Sequence, residues 1–356
     1  MATTPKTQFA TNDNLTRKKW AKDLFKIILP AVEYSYLVGK GTDAIVQMRT
    51  ELGKGEGDVI TFGIRLPLTG EGIVGRDTVE GNEEKLIFKD FNMTIEELNH
   101  AVDTGGKMEE QRIPWDLMKE GRDGLSDWWA EKLSETVMAT LCGDTSFKIA
   151  GQTFAQACQD PDAGHWMVMN SSAATAADLA TAEAAVTSAD VLDLHFLDKM
   201  KQRAEMPSTG CYKVRPLVKG GKNYYRVILH TYVFDQLRQN MNVGQWGDLQ
   251  RAAQKLQIPN TEIEYNGMLV TKSERVRPVS TNSSAYRNVL LGAQAACWAW
   301  GGAGESKSTV MAFIPYEKDA RRYVMIRGGG IFGVKKTRFD SKDYGIITGT
   351  SYGAAL

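Results

Sequence analysis

Hydrophobic and polar residues alternate along the stretch DVITFGIRLPL, residues 58–68. Ile60, Phe62 and Ile64 fall on one side, and this period of two predicts a half-buried strand. A second extended run, residues 86–95, follows the connection TGEGIVGRDTVEGNEE, which is rich in glycine and carboxylates and has few apolar residues. Hairpins usually turn within about two to five residues. A connection of about sixteen therefore predicts a β-hairpin whose tip contacts another molecule.

Apolar residues at spacings of three and four predict a long helix from near Pro114 to Gly143. A helix of about 29 residues would be a rod of about 40 Å. Gly121 and Gly124 each cost up to about 1 kcal/mol relative to alanine, so they predict a close approach by another backbone, or a kink. The residues predicted to pack this helix are Leu125, Trp128, Trp129 and Leu133. Of the two tryptophans, one is expected to point inward and the other to cover a neighbouring element.

The remaining chain mixes both periodicities. WAKDLFKIIL and the stretch 194–204 predict amphipathic helices, as does GQWGDLQRAAQKLQIPN. YYRVILHT (224–231) predicts a buried strand, followed by a helix at VFDQLRQN. The Ala- and Thr-rich residues 171–190 predict a linker or a surface helix. Further extended segments are predicted at 263–271, 288–300, 309–314, 322–327 and 331–338, with Gly328 to Gly330 separating the last two. The predicted fold class is α+β.

The composition is that of an ordinary globular protein. The 356 residues are 42% hydrophobic and 24% charged. Lysine plus arginine equals aspartate plus glutamate at 43 each, so any contact with DNA must come from a local basic patch. The N-terminus has no apolar signal core, and no window approaches the length of a membrane span. The composition predicts a soluble intracellular product.

Cysteine and histidine spacing predicts no metal site. Cys142, Cys158, Cys211 and Cys297 lie far apart, without a C-x-x-C pair, and are expected to be free thiols in a reducing compartment. The four histidines share no metal-ligand spacing. No serine-nucleophile motif is present either. We therefore expect no catalytic residue, no metal and no cofactor.

Two glycine-rich motifs have partial likeness to nucleotide-binding loops. Gly70, Gly72 and Gly75 spell G-x-G-x-x-G, but carboxylates rather than a helix pattern follow. GAGESKST (302–309) lacks the glycine that the phosphate-binding loop requires before its lysine. Neither motif predicts a nucleotide site. Three short basic clusters, Arg17-Lys18-Lys19, Arg321-Arg322 and Lys335-Lys336, are open to two interpretations: ordinary surface charge, or contact with phosphate or another subunit.

Several blocks of the sequence together resemble the major capsid proteins of tailed bacteriophages, specifically the family typified by the N-four podovirus. The blocks are GKGTDAIVQ (39–47), GDVITFGIRLPLTGEG (57–72), VEGNEEKLIF (79–88), QRIPWDL (111–117), DWWAEKL (127–133), GMLVTKSERV (267–276) and LLGAQA (290–295). The resemblance covers roughly residues 35–315. Because several blocks occur in order, it is more specific than any single motif.

The resemblance implies a Hong Kong 97-type capsid fold. Its expected parts are an N-terminal arm (1–50), an extended hairpin loop (51–100), a peripheral domain with a long spine helix (101–194), an axial domain (195–310) and a return to the peripheral domain with a C-terminal strand (311–356). It also implies self-assembly as hexamers and pentamers into an icosahedral head around double-stranded DNA. The expected location is the virion capsid, assembled in the host bacterial cytoplasm.

The resemblance further implies which residues touch other subunits. In the extended loop these are Thr69, Gly70, Glu71, Gly72, Arg76, Asp77, Glu80, Glu83 and Glu84; in the arm they are Arg17, Lys18, Lys19 and Trp20. The expected partners are other copies of the chain, a separate scaffolding protein, a portal, a decoration protein and weakly bound DNA, with no membrane. The alternatives are an encapsulin-like compartment or, in a different class, a nucleotide-dependent enzyme that uses a Gly-rich loop.

Overall fold

The structure is a computed structural model. It describes residues 35–50, 57–66, 68, 72–75, 78, 80–81, 83–106, 111, 116–169, 178–208, 210–219, 221–240, 246, 248–251, 254, 261–302, 311–319 and 323–355. The predicted helix WAKDLFKIIL and the arm residues Arg17, Lys18, Lys19 and Trp20 lie outside these residues, as do Arg321-Arg322 and most of GAGESKST.

The described chain is a mixed α/β fold, in line with the predicted class. After a short 3-10 turn at Ser35–Leu37, its helices are α1 (Leu117–Cys142), α2 (Leu179–Ala184), α3 (Leu194–Glu205) and α4 (Thr231–Asn240). Its strands are β1 (Val38–Gly39), β2 (Val46–Arg49), β3 (Val59–Arg65), β4 (Phe88–Thr94), β5 (Glu96–Gly106), β6 (Trp166–Val168), β7 (Leu217–Lys219), β8 (Lys222–His230), β9 (Ile263–Tyr265), β10 (Met268–Ser273), β11 (Pro278–Val279), β12 (Asn282–Leu291), β13 (Ala296–Trp300), β14 (Met311–Lys318), β15 (Tyr323–Lys336), β16 (Arg338–Phe339), β17 (Lys342–Asp343) and β18 (Ile346–Tyr352).

The first sheet has the strand order β1-β2-β13-β15-β14, and β5 also pairs with β15. β13 and β14 pair with successive parts of β15: Trp300 of β13 is opposite Phe332, and Met311 of β14 is opposite Gly330. Both are antiparallel to β15, whereas β2 and β13 are parallel. The long strand β15 is therefore the centre of this sheet.

Helix α1 packs on β5 and β15. Asp116 caps its N-terminus by accepting hydrogen bonds from two backbone amides, and Gly143 ends it in the left-handed region at φ 68°. The predicted end is thus confirmed, and the 26 residues make a rod of about 39 Å. A Cβ atom on Gly121 would meet side chains of β5 and β15, and nothing lies within 4 Å of a Cβ atom on Gly124. The close approach by another backbone that was predicted for these glycines is therefore not found, and the alternative, a kink, stays a prediction.

The prediction that Gly328 to Gly330 separate two strands was also wrong, because β15 runs through them without a break. A Cβ atom on Gly328 would lie 2.9 Å from both Leu125 Cδ2 and Trp129 Nε1. That separation is too short for any real side chain. The glycine is needed because the helix sits so close to the strand, and this is a packing requirement that looks like a strand break in the sequence.

The second sheet has the order β6-β18-β12-β8-β10-β9, with β11 paired to β12 and β7 to β8. The predicted strand and helix at YYRVILHT and VFDQLRQN are confirmed as β8 and α4. The predicted strand 263–271 is instead β9 and β10, which are joined by a turn at Asn266 and Gly267, both with positive φ. The predicted strand 288–300 is divided between β12 and β13, which belong to different sheets.

The Ala-rich stretch 171–190 was predicted to be a linker or a surface helix, and this was right only in part. Residues 171–177 lie outside the described residues, and α2 follows them. Ala182 and Glu183 in that helix are buried. Glu183 accepts hydrogen bonds from Arg287 at 2.7 and 2.8 Å, so the helix is fastened to β12 through a buried ion pair.

The two sheets cross the domain boundaries that were expected from the sequence. β13, within the expected axial domain, belongs to the first sheet, whereas β6 and the C-terminal strand β18 belong to the second. One large apolar core contains residues of both sheets. The domain boundaries themselves stay a prediction. Within the described chain, no helix has both the length and the apolar character that crossing a membrane would require.

Candidate functional site at the hairpin

The predicted hairpin is present and forms a two-stranded sheet of its own, in which β3 pairs antiparallel with β4. Ile60 lies opposite Met93 and Phe62 opposite Phe91. Along β3 every second residue is partly buried and the residues between them are exposed, so the predicted alternation is confirmed. One face of the hairpin therefore rests on the body of the protein, and the other faces outward.

The base of the hairpin is held by an apolar cluster that is distinct from the main core. Phe91 and Met93 are buried there against Cys297, Ala299 and Phe339. The ring of Phe91 lies 5.8 Å from that of Phe62 and 6.0 Å from that of Phe339, in tilted arrangements. Since aromatic pairs of this kind contribute about 0.5–1.5 kcal/mol beyond their burial, the base is firmly seated.

Two lysines add polar contacts at the same base. Lys335 Nζ donates to the carbonyl of Asn92 at 2.6 Å and lies 4.9 Å from the centre of the Phe91 ring. Lys89 Nζ lies 2.9 Å from Asp340 Oδ2, and this carboxylate raises the pKa of Lys89. These contacts join the second hairpin strand to residues near the C-terminus.

The interpretations offered for the basic pair Lys335-Lys336 were wrong for Lys336. Lys336 is buried and pairs with Asp343 at 2.8 Å, while Lys335 is committed to the hairpin base. Burial lowers the pKa of both ammonium groups. Lys336 is therefore an interior charge, whereas for half-buried Lys335 a contact with phosphate or another subunit stays a prediction.

The outer half of the hairpin is exposed although it carries large apolar side chains. The ladder continues past the strands through a hydrogen bond from Leu66 N to Ile87 O at 3.0 Å. The exposed residues here are Leu68 (60%), Val74 (86%), Leu86 (53%), Ile87 (51%) and Phe88 (65%). A concentration of exposed apolar groups on one projecting element is typical of a surface that binds another molecule.

Of the predicted loop contacts, Thr69, Gly70, Glu71, Arg76 and Asp77 lie outside the described residues. Gly72, Glu80, Glu83 and Glu84 are all exposed. Gly72 and Gly75 have positive φ values of 74° and 83°, in loop rather than helix. No helix begins among the described residues of 72–87, so this part of the chain lacks the helix that a dinucleotide site needs.

The predicted helix residues lie in the interior rather than on a contact surface. Leu125, Trp129 and Leu133 are fully buried. Trp128 is half-buried and stacks on His100 of β5 at 4.3 Å, and its ring meets that of Trp129 edge-on. The structure thus assigns the four residues to the attachment of α1 to the first sheet.

A cleft of about 280 Å³ runs between β3 and the body. Its described lining is Gln47, Arg49, Ile60, Thr61, Phe62, Gly63, Ile64, Gln294, Cys297, Thr337, Phe339 and Tyr344. Arg49 is the one charged side chain in that lining, so the described cleft lacks the paired acid and base that catalysis by proton transfer would need. Its mixed amide, hydroxyl and aromatic lining suits a docked polypeptide. Sequence reasoning missed Arg49, Gln294 and Phe339 because they come from distant parts of the chain.

Comparisons with known proteins agree with a binding rather than a catalytic site. A family model described as "Phage capsid protein" matches residues 8–355. The major capsid protein of Pseudomonas phage KPP25 is 28% identical over 140 residues, which is 38% of this chain and 37% of that protein. The alignment thus spans little more than a third of the curated relative.

Solved structures show the same fold. The capsid of Ralstonia phage GP4 has a TM-score of 0.77 and 24% identity over 90% of both chains. The capsid asymmetric unit of cyanophage Pam1 has a TM-score of 0.70 and 16% identity over 91% of this chain and 92% of that one. The match to a phage capsid family favours neither the nucleotide-dependent enzyme nor the encapsulin-like compartment. Because the family model spans nearly the whole sequence, the chain belongs to the phage capsid protein family.

Proposed function

We propose that the protein is the major capsid protein of a tailed phage. Copies of the chain assemble as hexamers and pentamers into an icosahedral head that encloses double-stranded DNA. The family match supports this proposal, and so does the likeness in fold to capsids of other phages. The protein then resides in the virion, after assembly in the cytoplasm of the host bacterium.

The proposed fold type is that of Hong Kong 97, within the N-four podovirus-type family. In that scheme the β3–β4 hairpin belongs to the extended loop, α1 is the spine helix and residues 195–310, with strands β7 to β12 of the second sheet, are the axial domain. The order of these elements along the chain supports the scheme. Residues 1–50 would be the arm, with Arg17, Lys18, Lys19 and Trp20 against a neighbouring copy.

The observation that carries the proposal is the exposed apolar surface at the end of the hairpin. Leu86, Ile87 and Phe88 are more than half exposed in the single chain. Burying apolar area contributes about 25 cal/mol per Å², so a neighbouring copy that covers these side chains is stabilised by their burial. Each such contact is small, but a shell repeats it in every copy, and the combined contacts make the assembly stable.

Other partners follow from the same proposal. A separate scaffolding protein, a portal and a decoration protein are expected to contact the shell. DNA inside it would be held by weak, non-specific contacts, because the chain has 43 basic and 43 acidic residues and no overall positive field.

Substitution of Phe88 tests the role of the hairpin. Phe88 is 65% exposed, so Phe88→Ser is expected to fold normally and to lose shell formation. Phe88→Leu is the matched control, since it keeps an apolar side chain at the same place. Both variants would be coexpressed with the scaffolding protein and examined by electron microscopy, with circular dichroism as the check on folding.

The expected result is closed shells for the wild type and Phe88→Leu, and folded but unassembled protein for Phe88→Ser. Normal shells from Phe88→Ser would show that the hairpin does not contribute the contact. If the wild type itself never forms shells with its partners present, the proposed function is wrong.

A further inference from the structure

Three potential metal ligands that are far apart in the sequence lie together beside the second sheet. One ligand atom from each of Asp162, His165 and Cys211 falls within 4.8 Å of the others. His165 is fully buried, and its Nδ1 atom lies 2.6 Å from Asp162 Oδ1. Its other ring nitrogen, Nε2, lies 3.2 Å from the carbonyl oxygen of Tyr212.

Both partners of the His165 ring are acceptors, and this restricts where its protons are. The carbonyl of Tyr212 offers only lone pairs, so Nε2 must carry a proton and donate it. A neutral ring then has its lone pair on Nδ1, which faces the Asp162 carboxylate at 2.6 Å. Two lone pairs repel at that distance. At this distance a proton lies between them. Two ligand atoms of a tetrahedral zinc ion are about 3.3 Å apart, so an ion bound here would replace that proton and move the two side chains slightly apart.

Cys211 supplies a third donor of a different chemical kind. Its Sγ atom is 4.0 Å from Asp162 Oδ2, on the carboxylate oxygen that Gly164 N also approaches. Imidazole, carboxylate and thiolate together are a donor set that zinc accepts, at distances of about 2.0–2.3 Å. The contact from His165 Nε2 to a backbone carbonyl is the usual outer contact of a metal-bound histidine.

We propose that Asp162, His165 and Cys211 bind one zinc ion. Cys211 is partly exposed, so a water molecule can reach the fourth position of a tetrahedral site. The charges balance, because one carboxylate and one thiolate offset the two positive charges of the ion. Binding requires the Cys211 thiol to lose its proton, because the thiolate is the form that binds zinc.

The surrounding charged groups set the conditions for binding. Arg203 donates to the carbonyl of Gly164 and Lys342 to that of Gly210, whereas Lys336 and Arg338 both pair with Asp343. None of these four contacts involves a side-chain atom of Asp162, His165 or Cys211. The cations do oppose a further positive charge, and burial together with Asp162 raises the pKa of the Cys211 thiol.

The position of the site gives zinc a structural role. Asp162 Oδ1 also accepts from Asp343 N at 3.3 Å, and the carbonyl of His165 accepts from Thr348 N at 2.8 Å. The ligands themselves come from the segment after α1 and from the connection between α3 and β7. An ion held there would tie these segments to the final strand of the second sheet, independently of shell assembly.

Zinc titration of the unassembled full chain tests the proposal. We expect zinc chloride to raise the Tm of the wild type by at least about 2 °C, and cobalt(II) in its place to give the absorption of a thiolate–cobalt bond. Cys211→Ser should abolish both effects. Cys158→Ser is the matched control, a partly buried cysteine elsewhere that should leave both effects intact.

Asp162→Asn is a second variant, in case Cys211→Ser does not fold, and it should weaken cobalt binding at least tenfold. Two results would overturn the proposal. One is the absence of a Tm shift and of the cobalt spectrum in the wild type, which would leave a proton rather than a metal between His165 and Asp162. The other is an unchanged cobalt spectrum in Cys211→Ser.

Discussion

Replacement of Gly328 by alanine should destabilise the protein, although the strand would gain a better residue by propensity. A Cβ atom at this position would lie 2.9 Å from Leu125 Cδ2, 2.9 Å from Trp129 Nε1 and 3.0 Å from Phe313 Cζ. Carbon atoms in favourable contact are about 3.5–4.0 Å apart. All three neighbours are buried side chains, at 0%, 0% and 1% exposure, so none can turn out into solvent.

The expected magnitude follows from two opposing effects. Overpacking a well-filled core costs about 1–3 kcal/mol. Alanine in place of glycine recovers about 0.4–1 kcal/mol by restricting the unfolded chain. Because three buried atoms would clash at once, the cost should lie at about 2–3 kcal/mol, in the upper part of that range, and the net change in the free energy of unfolding is a loss of about 1–2.6 kcal/mol. Gly124→Ala is the matched control: it lies on an exposed face of α1 with nothing within 4 Å, so the same substitution should stabilise by up to about 1 kcal/mol.

Urea unfolding of the unassembled protein, followed by tryptophan fluorescence, measures both variants. A shift in the midpoint with an unchanged slope reports a change in stability alone. Adding Leu125→Ala to Gly328→Ala should cost less than the sum of the two single changes, because the truncation of Leu125 removes Cδ2, one of the clashing atoms. The reasoning is refuted if Gly328→Ala is as stable as the wild type, or if the double variant is simply additive.

Two further predictions concern buried polar groups. Burial lowers the pKa of His230 to about 4, below its value of 6.5 in the unfolded chain, so stability should fall as the pH drops from about 6.5 towards 4. His230→Phe keeps an aromatic ring stacked on Tyr286 and should reduce this loss of stability. The urea midpoints of both proteins at pH 7 and pH 5 measure it. The same drop in midpoint for both proteins would contradict the prediction. Glu183→Gln removes the buried counter-charge of Arg287, which keeps Asp160 at 2.9 Å, so the cost should be about 3 kcal/mol, the lower end for a broken buried pair. The paired change Glu183→Met with Arg287→Met should cost less than Glu183→Met and Arg287→Met together. Strict additivity in that double-mutant cycle would show that the two side chains do not act as a pair.

Elements with a strong local pattern could be predicted from the sequence. The alternation from Ile60 to Ile64 depends only on neighbouring residues, as does the helical spacing from Leu125 onward. β8 and α4 were predicted in the same way. A continuous apolar run indicates the strand, and apolar residues at spacings of three and four indicate the helix. Gly143 marks the end of α1 because its left-handed conformation is a property of one residue.

Features that depend on distant partners could not be predicted. Gly328 looks like a strand break until Trp129 is known to lie above it. Lys336 looks like surface charge until Asp343 is placed beside it, and Glu183 looks like part of a polar linker until Arg287 is placed beside it. In each case the residue type favours one environment and a contact made by the fold overrides it. The cluster around His165 has the same origin, since its ligands come from separate connections.

The way the hairpin is attached determines how it can meet a partner. β4 leads into β5 through Ile95 alone, and β5 pairs with the central strand β15 from Glu96 opposite Phe332 onward. A hydrogen bond from Ile95 N to Asp58 O closes the base of the hairpin at 3.0 Å. No loose linker separates the hairpin from the sheet at this point. A movement of the tip would therefore have to bend paired strands or disturb the contact between Phe91 and Phe339. If the proposed function is right, the base fixes the direction of the hairpin, and adjustment to neighbours in hexamers and pentamers must come from its outer half, where the described residues are exposed.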